Sequence, residues 1–443
     1  MAPLRSSMTT LSRLFWIVLL LAGVARLGTP AIAAAAATSA GVFRAGAARV
    51  DITPAPDAAL PMSGYSGRVD GFKGIRDKLH VRSIVVDDGA TQAALIGVEL
   101  VGISHPLWER FTGRIARESG IPVENILLCA VHTHAAPAIG TYNERATPEV
   151  TARREAYVQK LEDALVAVVR QAKAALQPAR IGYGTGQARV NMNRRARNGE
   201  GGWMLGHNPD GVSDKTVAVV RFDNLAGEPF AIFSNYGVHA TVLGTQNYQI
   251  SPDLPGATSR FVEKHFGDKV VSPWTSGAAG DQDPIYRVGT DFRNVLALGE
   301  ILGEEVVRVA QGIKTSPRGR LQVAQTVVTC PGKRTLQLPG RGRVYEFADA
   351  DPVPIRLSLL VVNDIAFAGV SAEVLTNIAL RLKRESPLTR TMMLTHCNGS
   401  SGYIPDDAAY EQVSYEITTS RVKRGCAEDA IVNGFLELLA RLF

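Results

Sequence analysis

Four short stretches of this 443-residue chain bring together side chains that do chemistry. In the first, Val131-His132-Thr133-His134 closes an apolar run that begins at Ile126. If the run continues as a strand, residues i and i+2 share a face, so both imidazoles address one point that a metal ion or a reacting group can reach. Two surface histidines on a turn give the same pattern. The second stretch, Ser234 to His239, again sets a histidine directly after an apolar run, with Asp253 in the Pro- and Gly-rich loop beyond. The third, Ser276 to Pro284, is a glycine-rich turn that closes on Asp281 and Asp283. The fourth, Ala368 to Glu373, ends in an acid at a strand-to-helix junction, where it equally suits the positive end of a helix.

Hydrolytic zinc chemistry accounts for the combination. A catalytic zinc takes nitrogen and oxygen ligands from separated segments and keeps one position open for water, which it acidifies. Two histidines and a carboxylate from three strand ends supply such a site, and a neighbouring carboxylate or histidine can accept the water's proton. Other hydrolase and nucleotide chemistries lack their marks: the chain has no G-x-S-x-G, no H-E-x-x-H and no Walker loop.

These groups need a scaffold that delivers strand ends to one place. Strand-like runs at 93–100, 125–131, 216–222, 230–236, 270–274, 320–329, 355–362 and 364–370 alternate with helical patterns at 105–119, 149–176, 257–267, 291–312, 371–385 and 427–441. Thr147 is placed to cap the longest helix, with Pro148 at its first position. The alternation predicts an α/β fold, a mixed-sheet core covered by helices on both faces, in a single large catalytic domain over 34–443. In open α/β sheets ligands bind beyond the strands' carboxyl ends, which is where the four stretches fall.

The N-terminus points to export. Arg5 and Arg13 precede the uncharged block Leu14 to Ala25, and Ala31-Ile32-Ala33 fits a cleavage site, so residues 1–33 read as a signal peptide and the mature chain as periplasmic or secreted. Those 33 residues carry three Arg and no acid, and removing them takes the formal charge from +6 to +3. No basic cluster remains to suggest a nucleic-acid partner. Of the four cysteines, Cys129 and Cys330 lie in or beside apolar runs and read as buried thiols, whereas Cys397 and Cys426 flank a loop-rich segment and are the expected bridge.

Taken in order, the stretches resemble the neutral ceramidase family, zinc amidases that split N-acylsphingosine. Ala47 to Pro54 resembles the family's "ADITGP" opening, Met62-Ser63-Gly64-Tyr65 its "MMGYA", and Gly74-Ile75-Arg76 with Val81-Arg82-Ser83 its "GIH" and "RAF". His132 to Pro137 is similar to "THTHSGP", Asn191 to Arg194 to "NINRS", and Tyr236 to Thr241 to "FAVHPT". Ser371-Ala372-Glu373 falls at "PGE"; Asn398 to Ile404, then Tyr410 and Tyr415-Glu416, resembles "SNxYxxYI", "EEY" and "YEGAS".

The resemblance implies zinc held by His132, His239, Glu373 and Tyr403, with His134 beside it handling a proton or the substrate carbonyl. It also implies a pocket cation at Arg194 that holds a polar group or an oxyanion. Two departures bear on substrate. Where the family carries the serine of "GDVSPN", this chain has Asp283, which with Asp281 is left as a candidate general base. The chain also ends soon after the "YEGAS" equivalent, so the family's C-terminal immunoglobulin-like domain is expected to be missing. The reading is an exported Zn2+-dependent hydrolase of an amide in a small-molecule or lipid N-acyl substrate, ceramide being the family's default. Hydrolysis of another envelope amide or ester is the alternative, as is a non-catalytic metal-binding envelope protein. Peripheral membrane contact is left open and no oligomeric state is implied.

Overall fold

The computed structural model describes residues 42–68, 70–140, 147–337 and 345–443. The expected signal peptide, 1–33, lies outside the described residues. Ala40–Phe443 forms one compact unit.

Two sheets make the core. The larger has eight strands in the order Trp274–Ser276, Pro229–Tyr236, Thr216–Asn224, Gln177–Gln187, Arg44–Asp51, His80–Asp87, Gln92–Val98 and Ile126–Ala130. It is mixed: the pairs at its two edges are parallel and the rest antiparallel. The smaller runs Leu321–Gln337, Tyr345–Val362, Ile365–Val370 and Arg390–Leu394, with its last pair parallel.

Side-chain alternation sorts the strands' faces. Ile84, Val86, Leu95, Leu127, Val220 and Phe233 turn one way and meet Leu360, Phe367, Met392 and Leu394 of the smaller sheet. Val81, Val85, Ile96, Leu128, Val219 and Ile232 turn the other way, onto α1 (His105–Ser119), α2 (Pro148–Ala174), α3 (Asp253–His265) and α4 (Phe292–Gly312). The outer face of the smaller sheet packs on α5 (Thr376–Glu385) and on a C-terminal helix, Ala427–Leu442, which follows the short α6 (Tyr415–Thr419). Helices therefore cover both sides, as the α/β reading requires, with two sheets between them rather than one. Thr147 caps α2 through its hydroxyl, which accepts from Val150 N, and Pro148 occupies the first turn.

Several expectations are corrected. The helix predicted over 371–385 begins only at Thr376, because Glu373–Val374 pairs as a short parallel strand with Tyr403–Ile404. Glu373 is therefore not at a helix N-terminus. The disulfide joins Cys330 to Cys426, across 96 residues, and not Cys397 to Cys426. Cys330 sits at the bulge of the Leu321–Gln337 strand, beside the cap of the C-terminal helix, while Cys397 is buried between the sheets facing Cys129, both as free thiols. Among the described residues, no helix is long and apolar enough to cross a membrane.

Candidate metal centre

Strands of both sheets deliver the site at their carboxyl ends. His132 follows Ile126–Ala130 and His239 follows Pro229–Tyr236, strands on opposite flanks of the larger sheet. The twisted sheet brings those flanks together here: a Cβ on Gly97 would come within 2.8 Å of Trp274 O, and an isolated parallel bridge joins Thr133 to Ala240. From the smaller sheet, Glu373 follows Ile365–Val370 and His396 follows Arg390–Leu394. Ala130 N bonds His396 O at 3.1 Å and Asn398 N bonds Leu128 O at 2.9 Å, which ties the two sheets at this point.

His132 Nε2 lies 3.2 Å from His239 Nε2, 3.2 Å from His134 Nε2 and 3.4 Å from Glu373 Oε2. His239 Nε2 is 3.5 Å from the same carboxylate oxygen and 3.4 Å from Tyr403 Oη. The protons can be assigned from the outer contacts. His132 Nδ1 lies 2.6 Å from Val101 O and His239 Nδ1 lies 2.6 Å from Ala279 O. A carbonyl only accepts, so both Nδ1 atoms carry the hydrogen and both Nε2 atoms present lone pairs. Two lone-pair nitrogens and a buried carboxylate oxygen with no hydrogen bond thus converge on one point. Two donors approach His239 Nε2: Arg194 Nη1 at 3.3 Å, shared with Asp283, and the Tyr403 hydroxyl at 3.4 Å. Mutually repelling acceptors at these distances fit a cation between them, and outer carbonyls that orient each imidazole are what a metal site requires.

The expected face-sharing of His132 and His134 is achieved differently from an extended strand. The strand stops at Ala130 and His132 takes a left-handed φ of 66°. His396 is left-handed too, at 50°. Such conformations cost non-glycine residues about 1–3 kcal/mol and persist where the surroundings demand them. His134 offers its own Nε2 to the cluster, so the geometry does not divide the pair into one inner and one outer member. Its Nδ1 has no partner and its ring packs edge-on against Tyr65. Burial, then the neighbouring His132 and His239, push its pKa well down, which keeps the ring neutral.

Arg194 is held through all three of its nitrogens, with one Nη2 hydrogen left over: Nε donates to Glu416 at 2.7 Å, Nη2 to Tyr403 Oη at 3.1 Å, and Nη1 contacts Asp283 at 3.3 Å. Burial and the Glu373 charge raise the Tyr403 phenol well above its usual range, and Arg194 opposes them.

Asp283 and Asp281, paired as candidate bases, part company. Asp283 lines the cleft beside the histidines, where Thr241 and Arg194 engage Oδ1 and Arg287 engages Oδ2. Burial raises its pKa, yet Arg194, His239 and Arg287 prevail and lower it, so the carboxylate is an anchor for both arginines. Asp281 is outside the cluster, a correction to its candidacy. Its Oδ1 accepts from Thr376 N at 3.1 Å and Thr376 Oγ1 at 2.7 Å and its Oδ2 from Asn193 at 3.1 Å, so it holds the start of α5.

Sequence reasoning missed His396. It stacks on His132, ring centroids 3.9 Å apart, and forms a second metal-capable group with His132 and Glu373. The signal was available, since Thr395-His396 follows the apolar run Met392–Leu394 as His132 and His239 follow theirs.

The family model for the N-terminal domain of neutral/alkaline non-lysosomal ceramidases matches residues 43–287, more than half of the chain. The chain belongs to this family. Among curated relatives, the neutral ceramidase of Pseudomonas aeruginosa is 29% identical over 255 residues, covering 55% of this chain and 37% of that one. Neutral ceramidase A of Dictyostelium discoideum is 28% identical over 254 residues, covering 53% and 33%. The matched segment thus spans about a third of those relatives' length. A crystal structure of the Pseudomonas aeruginosa neutral ceramidase superposes with a TM-score of 0.73 at 20% identity, over 90% of this chain and 75% of that one. A ceramidase complexed with C2 gives 0.75 at 19%, with the same coverage. The likeness establishes a ceramidase fold for this family member.

Proposed function

We propose that this protein is an exported zinc-dependent hydrolase that cleaves the amide bond of an N-acyl substrate. The observation that carries the reading is the convergence of His132 Nε2, His239 Nε2 and Glu373 Oε2, at 3.2–3.5 Å and with the histidine protons directed outward, in a member of the ceramidase family. His132, His239 and Glu373 would hold the ion, with Tyr403 as the fourth ligand by resemblance. Nitrogen and oxygen donors suit zinc, which when bound supplies Lewis acidity toward a carbonyl and toward water. Arg194 is placed to donate to the carbonyl oxygen as negative charge develops there, and Glu416 fixes its direction. His134, neutral and with one ring nitrogen in the cluster, takes a proton from attacking water and returns it to the leaving nitrogen. The left-handed strain at His132 and His396 supports a working site.

A substrate other than ceramide is favoured by one feature: the cleft lined by His134, Arg194 and Asp283 is about 260 Å³, below the usual size of a ligand site. A groove of about 660 Å³ adjoins it through Leu205 and Tyr415, and exposed Met204 and Val413 give an apolar tail somewhere to lie. Export is supported by the N-terminal segment and by the Cys330–Cys426 disulfide. The test is hydrolysis of a short-chain ceramide and of simple N-acyl amides by the purified protein. Turnover should fall to background with a chelator, return with zinc, and be absent in His132→Ala. Turnover that survives both treatments defeats the proposal.

A further inference from the structure

The cleft holds a second cation that this mechanism does not use. Arg287 lies four residues after Asp283 and lines the same cavity, its side chain 20% exposed. Its Nε ion-pairs with Asp283 Oδ2, and among the described residues Nη1 and Nη2 meet no partner. A guanidinium whose inner nitrogen is ion-paired turns its two outer nitrogens away from that partner as a planar fork, the shape that matches a carboxylate.

We infer that Arg287, anchored by Asp283, reads a carboxylate on the amine half of the substrate, so that the protein acts on N-acyl amino acids or amides of that class. This rests on the amide-hydrolase reading above. Three observations carry it. Asp283 is the only acid lining the cleft among the described residues, and both its oxygens are taken, Oδ1 by Arg194 and Thr241 and Oδ2 by Arg287. It thus steadies two cations without leaving a bare negative charge to repel an anion. The fork is also close to the cluster, since Arg194 Nη1 lies 3.3 Å from both His239 Nε2 and Asp283 Oδ1, and Arg287 sits on that same carboxylate. An N-acyl amino acid carries its carboxylate only three bonds from the amide carbon, a spacing that lets both ends engage together. Finally, about 260 Å³ is room for a compact polar head, with the acyl tail directed past Leu205 and Tyr415. Asp283, which replaces the family's serine, then has a purpose as the anchor of a specificity residue.

The experiment compares N-octanoylglycine with N-octanoylethanolamine, equal in length but uncharged, using zinc-loaded full-length protein, Arg287→Gln and Arg287→Lys. Wild type should favour the glycine conjugate in kcat/KM by about 10- to 100-fold, the scale of a charge-assisted hydrogen-bond pair. In Arg287→Gln the ratio should collapse toward one, chiefly through KM for the anion, and Arg287→Lys should restore part of it. Equal use of both amides by wild type, or an unchanged ratio in Arg287→Gln, overturns the inference. If neither amide is cleaved, the hydrolase reading is what has failed, and calorimetric binding of N-octanoylglycine decides this one: binding lost in Arg287→Gln upholds it, and absent or unchanged binding overturns it.

Discussion

His396 is the residue whose part in the site is most sharply testable. Stacked on His132 and with a ring nitrogen within 4.8 Å of the Glu373 carboxylate, it would either donate to the proposed ion or fix the ring that does. Replacement by alanine should weaken zinc binding by about 10–100-fold, as removal of an orienting neighbour does elsewhere, and chelator competition reads that directly. An unchanged zinc affinity would remove His396 from the site. The residues legible beforehand were those announced by position: a histidine after an apolar run, or a carboxylate in a glycine-rich turn. Nothing local distinguishes Asp281 from Asp283, two residues apart where a turn runs into the short strand Gln282–Pro284. Asp281 stays in the turn before the strand and Asp283 lies within it, so the two carboxylates part, one toward α5 and the other toward the cleft, only once the strand pairs with Asn191–Arg197. Tyr403 and Arg194 were visible only through family resemblance, because neither stands out chemically in its own stretch.

At the scale of elements, the helices and the central strands were readable from periodicity, since each has a complete apolar face. The two-residue pairing of Glu373–Val374 with Tyr403–Ile404 was not, being too short to show any period, yet it sets Glu373 opposite Tyr403. Irregular segments matter equally at the loop that carries Gly64. It has φ 92°, and a Cβ there would lie 2.3 Å from His134 Cγ. Gly64→Ala should cost about 1–2 kcal/mol for the left-handed backbone alone and also displace the His134 ring. Turnover should then fall further than a loss of folded protein explains. Thermal unfolding measured beside kcat checks this, and a variant with wild-type values for both would show that the loop does not hold His134 in position.

Across the whole molecule, the helical layer is clamped to the larger sheet by charge as well as by apolar packing. Arg82, fully buried, donates from Nε to Glu263 of α3 at 2.7 Å and from Nη1 to Glu99 at 2.6 Å, and Arg49 pairs with Glu263 from the neighbouring strand. Sequence could not reveal this network, since Arg82 sits mid-strand and its partners are 17 and 181 residues away. Burial alone would raise both glutamate pKa values, but Arg82 dominates and holds both below the ordinary carboxylate range. A depressed native pKa means that the unfolded chain takes up the proton first. The stabilisation is therefore complete above the ordinary carboxylate pKa and is lost as pH falls through that value toward the lower native one. Glu263→Gln leaves Arg82 short of a buried partner and should cost about 3–5 kcal/mol near neutrality. It should also flatten the acid limb, because one of the two linked protonations is gone. Urea unfolding of both proteins at pH 7 and pH 4 tests the two effects together. The wild type should lose more stability between those pH values than the variant, and parallel losses would mean that the Arg82 network does not govern acid stability.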